Sequence, residues 1–254
     1  VTDQSSQFPR FYVTAASPCP YLPNLMERKV FTELKGKAPE GLHDSLAQVG
    51  FRRSQDIVYR PTCENCSRCI SVRIPVQKFI PNRTQKRIIR YNQDIKVSVI
   101  PNKATQEQYA LLHQYLSARH PDGGMVGMSY QEYQDMVECS PIHTHLVEYR
   151  LTTACPQNTL QEAPADKGRL VAVALTDELK NGLSMVYSFY DVQKSMRRRS
   201  LGTYIILNHV ALAREYFMNH VYLGYWVQNS PKMAYKQNFK PIEMLGPDGW
   251  FIKK

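Results

Sequence analysis

Cys63, Cys66 and Cys69 recur at every third residue in TCENCSRC, a spacing that can turn three thiolates toward one centre. In a reducing compartment such a run holds a metal or a redox thiol more often than a disulfide. A closed structural zinc needs a fourth ligand, an iron–sulfur cluster would use the same thiolates, and spacing does not choose between them. Cys139 and Cys155 belong to no motif.

A second set of residues is cationic. The 254-residue chain has a formal net charge of +10, concentrated in Lys78, Arg83, Lys86, Arg87 and Arg90 and again in Arg197, Arg198 and Arg199. Each phosphate such a surface neutralises releases counterions, so these clusters predict a nucleic-acid partner. Ser200, Leu201 and Gly202 stand where a loop enters a helical pattern, a place where free backbone N–H groups receive an anion. Lys232, Tyr235 and Lys236 share one face of a short helical segment, and His120 has the intrinsic pKa to relay a proton.

Alternating strands and helices must position these groups. A helix is expected over residues 41–49, and FRRSQDIVYRP reads as a strand ending at Pro61. SVRIPV is another strand, residues 82–92 form a basic helix, and a helix over Gln106 to Arg119 places Tyr109, Leu112 and Leu116 on one face. LVAVALT and LSMVYSFY should pair as a hairpin about Asn181-Gly182. Leu201, Ile205, Leu212 and Tyr216 then recur at helical spacing up to Asn219, VYLGYW is a strand, and Ser230 is set to cap a helix beginning at Pro231. A boundary near residue 100 divides the chain into 1–100, with the cysteines, and 101–254. With no apolar run of membrane-spanning length and no signal pattern at the N-terminus, a cytoplasmic protein is expected.

VYSFYDV, SLGTY, VYLGYW and PKMAYKQNFKP resemble the C-terminal half of the arginyl/leucyl-tRNA–protein transferase family, and CPYL, FRRS and YRPTCENCSRC resemble its N-terminal half. The length resembles the bacterial branch. That resemblance implies leucyl-tRNA as donor, a protein beginning with Asp or Glu as acceptor, and degradation of the product. It also implies an α/β fold: an acetyltransferase-like (GNAT) mixed sheet flanked by helices, with a smaller cysteine-containing N-terminal domain of similar type. Cys19, in CPYL, becomes the fourth metal ligand by the same resemblance. Val192 and Ser230 depart from the family pattern, where Pro and Cys are usual, so a cysteine nucleophile at position 230 is dispensable.

An aminoacyl-tRNA is an activated ester, so the chemistry requires no cofactor. The acceptor amine, with a pKa near ~8, must lose a proton, and the carbonyl oxyanion must be stabilised. Asp177 matches an acidic family position and would orient or deprotonate the amine; a strand-end turn residue is the alternative. Tyr190 and Asp191 close the next strand, where a splayed sheet would expose them, and Asp191 could equally serve a turn. Tyr225 could donate to the carbonyl oxygen or simply pack. Lys232 or Lys236 could grip the acceptor carboxylate or the tRNA 3′ phosphate, with Tyr235 beside them, and Arg119 and His120 lie in a family-like YLSARH stretch. Lys86, Arg87, Arg90, Arg197, Arg198 and Arg199 would contact tRNA. Two other readings compete. A coenzyme A-dependent N-acetyltransferase would want several glycine N–H donors where only Gly202 is present, and a non-catalytic cysteine-rich nucleic-acid-binding module leaves PKMAYK and VYLGYW without a purpose.

Overall fold

The computed structural model describes residues 9–36, 38–121, 123–152 and 168–253, and Cys155 lies outside them. Four short strands open the chain: β1 Tyr12–Val13, β2 Ser17–Pro18, β3 Met26–Glu27 and β4 Lys29–Glu33. Helix α1 spans Pro39–Gln48, with proline at its start, where no N–H is needed. The segment expected to be one strand is a hairpin, β5 Arg52–Ser54 and β6 Ile57–Pro61, because Gln55 adopts φ 53° and turns the chain. A small antiparallel sheet results, ordered β1-β4-β6-β5.

The remaining strands are β7 Cys69–Pro75, β8 Ile95–Pro101, β9 Thr144–Leu151, β10 Arg169–Leu179, β11 Gly182–Tyr190, β12 His220–Val227, β13 Glu243–Gly246 and β14 Gly249–Ile252. They form one eight-stranded sheet in the order β14-β13-β7-β12-β11-β10-β9-β8. β10 is buried on both faces, which explains its nearly continuous apolar sequence. Leu179 pairs with Gly182, so the hairpin turns on Lys180 and Asn181, one residue earlier than expected. β7 precedes residue 100 and β8 runs across it, yet both are strands of this sheet, so the expected division falls within it.

Helices cover both faces. α3 Gln106–Arg119 and α4 Tyr130–Glu138 bury Leu112, Leu116 and Tyr133 against Val173 and Phe189. On the other face α2 Arg83–Tyr91 and α5 Leu201–Glu215 enclose Ile205, Val210, Val171 and Leu223. Asn82, Thr105 and Ser129 begin α2, α3 and α4 with capping boxes that satisfy the first free N–H groups. α5 stops at Glu215 rather than near Asn219, since Phe217 has φ 56°. The PKMAYKQNF segment is not an α-helix. Its regular part is a 3₁₀ turn over Ala234–Asn238, Ser230 makes no cap, and the buried Lys236 side chain pins the segment to β12. The fold is mixed α/β, with helices on both sides of a large mixed sheet.

Candidate active site at the parting of two strands

Parallel strands β11 and β12 pair only from Gly182 with His220 to Ser184 with Tyr222, and beyond that point they diverge. Strand carbonyls freed by the divergence need other donors. Two cations supply them. Arg52 Nη2 donates to Met185 O at 2.9 Å and Val186 O at 3.2 Å on β11, and Lys236 Nζ donates to the carbonyls of Leu223 and Tyr225 on β12. Gly224 makes room for this arrangement: it has φ +71°, and a Cβ there would overlap the Arg52 guanidinium.

At the open end of β11, Tyr190 meets α3 and the start of α5. Its ring lies 5.0 Å from that of Tyr115 and beneath the Arg119 guanidinium at 6.0 Å. Gly202 allows the ring to rest on the start of α5, since a Cβ would come within 3.1 Å of it. His120, the C-cap of α3, packs edge-on against Tyr115 at 5.7 Å. Burial, then the charges of Lys232 and Arg119, lower the His120 pKa, leaving the imidazole neutral at neutral pH. Burial and the neighbouring Tyr190 and Tyr187 raise the Tyr115 pKa, so its hydroxyl keeps its proton. Tyr235 is close enough to feel Arg52 and Tyr190, and burial followed by Arg52 drives the Lys236 pKa far down.

Tyr190, Arg119, His120, Gly202, Lys232, Tyr235 and Lys236 therefore gather near the parting of β11 and β12. Sequence reasoning missed Arg52, Tyr115 and Tyr187 there; FRRS stood among the family-like stretches, but nothing in it distinguishes the outward arginine from the inward one. Ser200 adopts φ 50°, and its carbonyl accepts the N–H groups of Thr203 and Tyr204. Among the described residues the N–H groups of Leu201 and Gly202 have no acceptor, so α5 presents its positive end beside Tyr190.

Three expected site residues are engaged elsewhere. The carboxylate of Asp177 is fully buried, accepting from Arg53 Nε at 2.7 Å, Arg53 Nη2 at 2.6 Å and Thr144 Oγ1 at 2.8 Å. Asp177 pairs with Ser184 while Tyr190 pairs with Ala172, which puts the two at opposite ends of the hairpin. With its oxygens occupied and no solvent path, Asp177 joins β5 to β10 rather than touching a substrate. Tyr225 donates toward the carbonyls of Gly50 and Tyr59 and packs on the cysteine side of the sheet. Asp191 serves the turn, accepting from Gln193 N and pairing with Arg169 at 2.8 Å.

The basic clusters adjoin. Arg83, Lys86, Arg87 and Arg90 lie along one exposed stripe of α2, opposite the buried Gln85. Asn92, at the end of α2, donates to Arg199 O and so ties that helix to the entry of α5. Arg197 and Arg198 are exposed, whereas Arg199 is committed to a two-pronged pair with Asp94 at 2.7 Å. Beyond β12, an open depression of about 250 Å³ is bounded by Trp226, Ser230, Pro231 and Gln237, and among the described residues Trp226 Nε1 and Ser230 Oγ have no partner.

Cys19, Cys63 and Cys66 all lie near enough to Cys69 to influence it, and burial together with them pushes the Cys69 thiol up to about 12. All four are free thiols, and three of them pack with Tyr21 and Val227. Among the described residues no three His, Cys, Asp or Glu side chains stand at metal-ligand spacing. The four thiols gather as a donor set without closing on a centre.

Residues 17–87 match the family described as "Arginine-tRNA-protein transferase, N terminus", and residues 107–246 match "Arginine-tRNA-protein transferase, C terminus". The chain is 50% identical over 244 residues to an aspartate/glutamate leucyltransferase of Sphingopyxis alaskensis, covering 96% of this chain and 91% of that protein. It is 50% identical over 250 residues to the Azorhizobium caulinodans protein of the same name, covering 98% of each. A solved structure of FemX overlaps 82% of this chain and 66% of its own, with a TM-score of 0.49 and 9% identity. A tandem GNAT protein from the clavulanic acid biosynthesis pathway overlaps 90% of this chain and 59% of its own, with a TM-score of 0.39 and 11% identity.

Proposed function

The chain belongs to the arginine-tRNA-protein transferase family, and on that premise we propose that it moves leucine from leucyl-tRNA to the N-terminal Asp or Glu of an acceptor protein, marking the product for degradation. The observation that carries this reading is the meeting, near Tyr190, of a helix start whose first N–H groups have no acceptor among the described residues, a neutral imidazole and several tyrosine side chains.

The stripe on α2, continued by Arg197 and Arg198, receives the tRNA backbone and leads it to the N–H groups of Leu201 and Gly202, which hold a phosphate near the 3′ end. The acceptor amine then attacks the ester carbonyl, a C–N bond forms, and the C–O bond to the terminal ribose breaks. The ammonium form of the acceptor first gives one proton to solvent; His120 then takes the second proton, lost as the C–N bond forms, and returns it to the departing ribose oxygen. A tyrosine hydroxyl, from Tyr115 or Tyr190, donates to the oxyanion.

We propose that Cys19, Cys63, Cys66 and Cys69 bind zinc or an iron–sulfur cluster, which would tie the N-terminal segment to β7 and stabilise the fold. Metal analysis of protein purified without air tests this, and a folded, metal-free sample rejects it. Among the described residues no helix is long and apolar enough to cross a membrane, and a cytoplasmic site of action fits a tRNA donor.

Transfer of radiolabelled leucine from leucyl-tRNA to a peptide beginning with Asp is the direct test. Acetylation of that peptide from acetyl-coenzyme A, or RNA binding without transfer, would replace the reading.

A further inference from the structure

Arg52 and Arg53 are neighbours on β5, and strand geometry sends their side chains to opposite faces. Arg53 is satisfied by Asp177, Thr144 and the Gln55 carbonyl. Arg52 is not. Its Nη2 is used on the two β11 carbonyls, while Nε and Nη1 have no acceptor, and no carboxylate pairs with it among the described residues. The guanidinium is half-buried and held against the Tyr225 ring at 6.0 Å, and Gly224 leaves the space it fills.

We propose that Arg52 is the carboxylate-binding residue of the cleft, holding the acidic side chain of the acceptor's first residue through Nε and Nη1. A guanidinium presents two parallel N–H groups to a carboxylate, and an uncharged amide cannot reproduce that pairing. Arg52 is also already immobilised, so little side-chain entropy is lost when the ligand arrives. Neither lysine of the cleft serves as well. Lys236 is buried with its N–H groups on Leu223 and Tyr225, and Lys232 is exposed on a loop with no hydrogen bond or ion pair to orient it among the described residues. Position supports the assignment: Arg52 is held at Met185 and Val186 of β11, and both Arg52 and Tyr190 lie near enough to Tyr235 to act on it. In this arrangement the acceptor amine sits by Tyr190 and His120 and its first side chain turns toward Arg52. This inference rests on transfer to Asp or Glu as proposed above.

The test compares the full-length protein with Arg52→Gln and Arg52→Lys, using peptides that begin with Asp or Asn and are otherwise identical. Leucine transfer gives kcat/KM for each peptide, and calorimetry on the tRNA-free protein gives their binding. Wild type should favour Asp over Asn by about 100-fold, Arg52→Gln should shrink that ratio at least about tenfold with leucyl-tRNA affinity unchanged, and Arg52→Lys should retain part of it. Equal losses for both peptides in Arg52→Gln, or an unchanged ratio, would overturn the assignment. Should Arg52→Gln not fold, Arg52→Lys decides: an Asp/Asn ratio equal to wild type overturns it, and an intermediate ratio supports it. Absence of transfer by wild type would sink the leucyltransferase reading alone, because preferential binding of the Asp peptide, lost in the variant, still supports the subsite.

Discussion

Arg53 and Arg52 divide the molecule into a closed region and an open one. Beneath β5, Arg53 meets Asp177 at 2.6 Å with both side chains almost wholly buried, and His43 stands 3.8 Å away. One residue earlier the same kind of side chain caps strand carbonyls where β11 and β12 diverge and, among the described residues, leaves donors unused. The closed pair has nothing left with which to bind a substrate. A charge becomes functional where the fold satisfies it incompletely, and a fully matched buried charge holds elements together instead.

The sharpest way to break this contrast is to remove one partner of the closed pair. Asp177→Asn should destabilise the protein by about 3–5 kcal/mol, because Arg53 is left buried without its counter-charge. Urea unfolding measures the loss, and leucine transfer per folded molecule at low temperature should match wild type. A selective fall in turnover at unchanged stability would return Asp177 to the chemistry.

A pH titration separates the regions again. His209 is fully buried, its Nδ1 2.8 Å from Ile205 O and its Nε2 2.9 Å from Thr176 Oγ1, and burial lowers its pKa to about 4. The unfolded chain binds this proton below about 6.5, whereas the fold resists it until about 4. Stability is therefore complete above about 6.5 and declines as pH falls toward 4, by about 3 kcal/mol in all from this residue. Unfolding curves at several pH values check this, and His209→Gln should flatten the dependence over that interval. His120 lies on the open side, so its protonation should appear in the acid limb of kcat/KM at pH below its ordinary range, with little effect on unfolding.

Smaller perturbations sharpen the picture. Gly224→Ala places a Cβ into the Arg52 guanidinium at a positive φ, so it should cost about 2 kcal/mol and weaken discrimination between Asp and Asn acceptors as Arg52→Gln does. Melting curves and the paired-peptide assay measure both effects; normal discrimination would show that Arg52 is not the contact. Least severe should be Arg90→Ala, removing one exposed cation of the α2 stripe. It should leave stability unchanged and reduce the slope of log tRNA affinity against log salt by about one. Arg199→Ala should differ from it by also lowering stability, since Arg199 is already bound to Asp94.

Much of this organisation was legible in the chain. Periodicity located α2, α3, α5 and the β10–β11 hairpin, and Gly202 stood where the chain enters α5, because these depend on neighbouring residues. Errors arose where distant contacts intervened. The FRRSQDIVYRP segment folds back on itself because both of its halves find partners in the small sheet, and Ser230 is no cap because Lys236, drawn to β12, winds the following residues into a 3₁₀ turn. Strand alternation separates Arg52 from Arg53, but no local rule says which will find a carboxylate.

The amino-acid order alone determined the basic character, the cysteine spacing and most of the run of elements, since each is read from residue types and their intervals, and the family followed from the resemblance of its motifs. Tertiary structure decided which charges are used up. Asp177 looked available and is enclosed, while Arg52 looked ordinary and stands open at the divergence of β11 and β12. The physical reason is that the free energy of a charge depends on its solvent exposure and on the groups within a few ångströms, and those come from segments far apart in the chain.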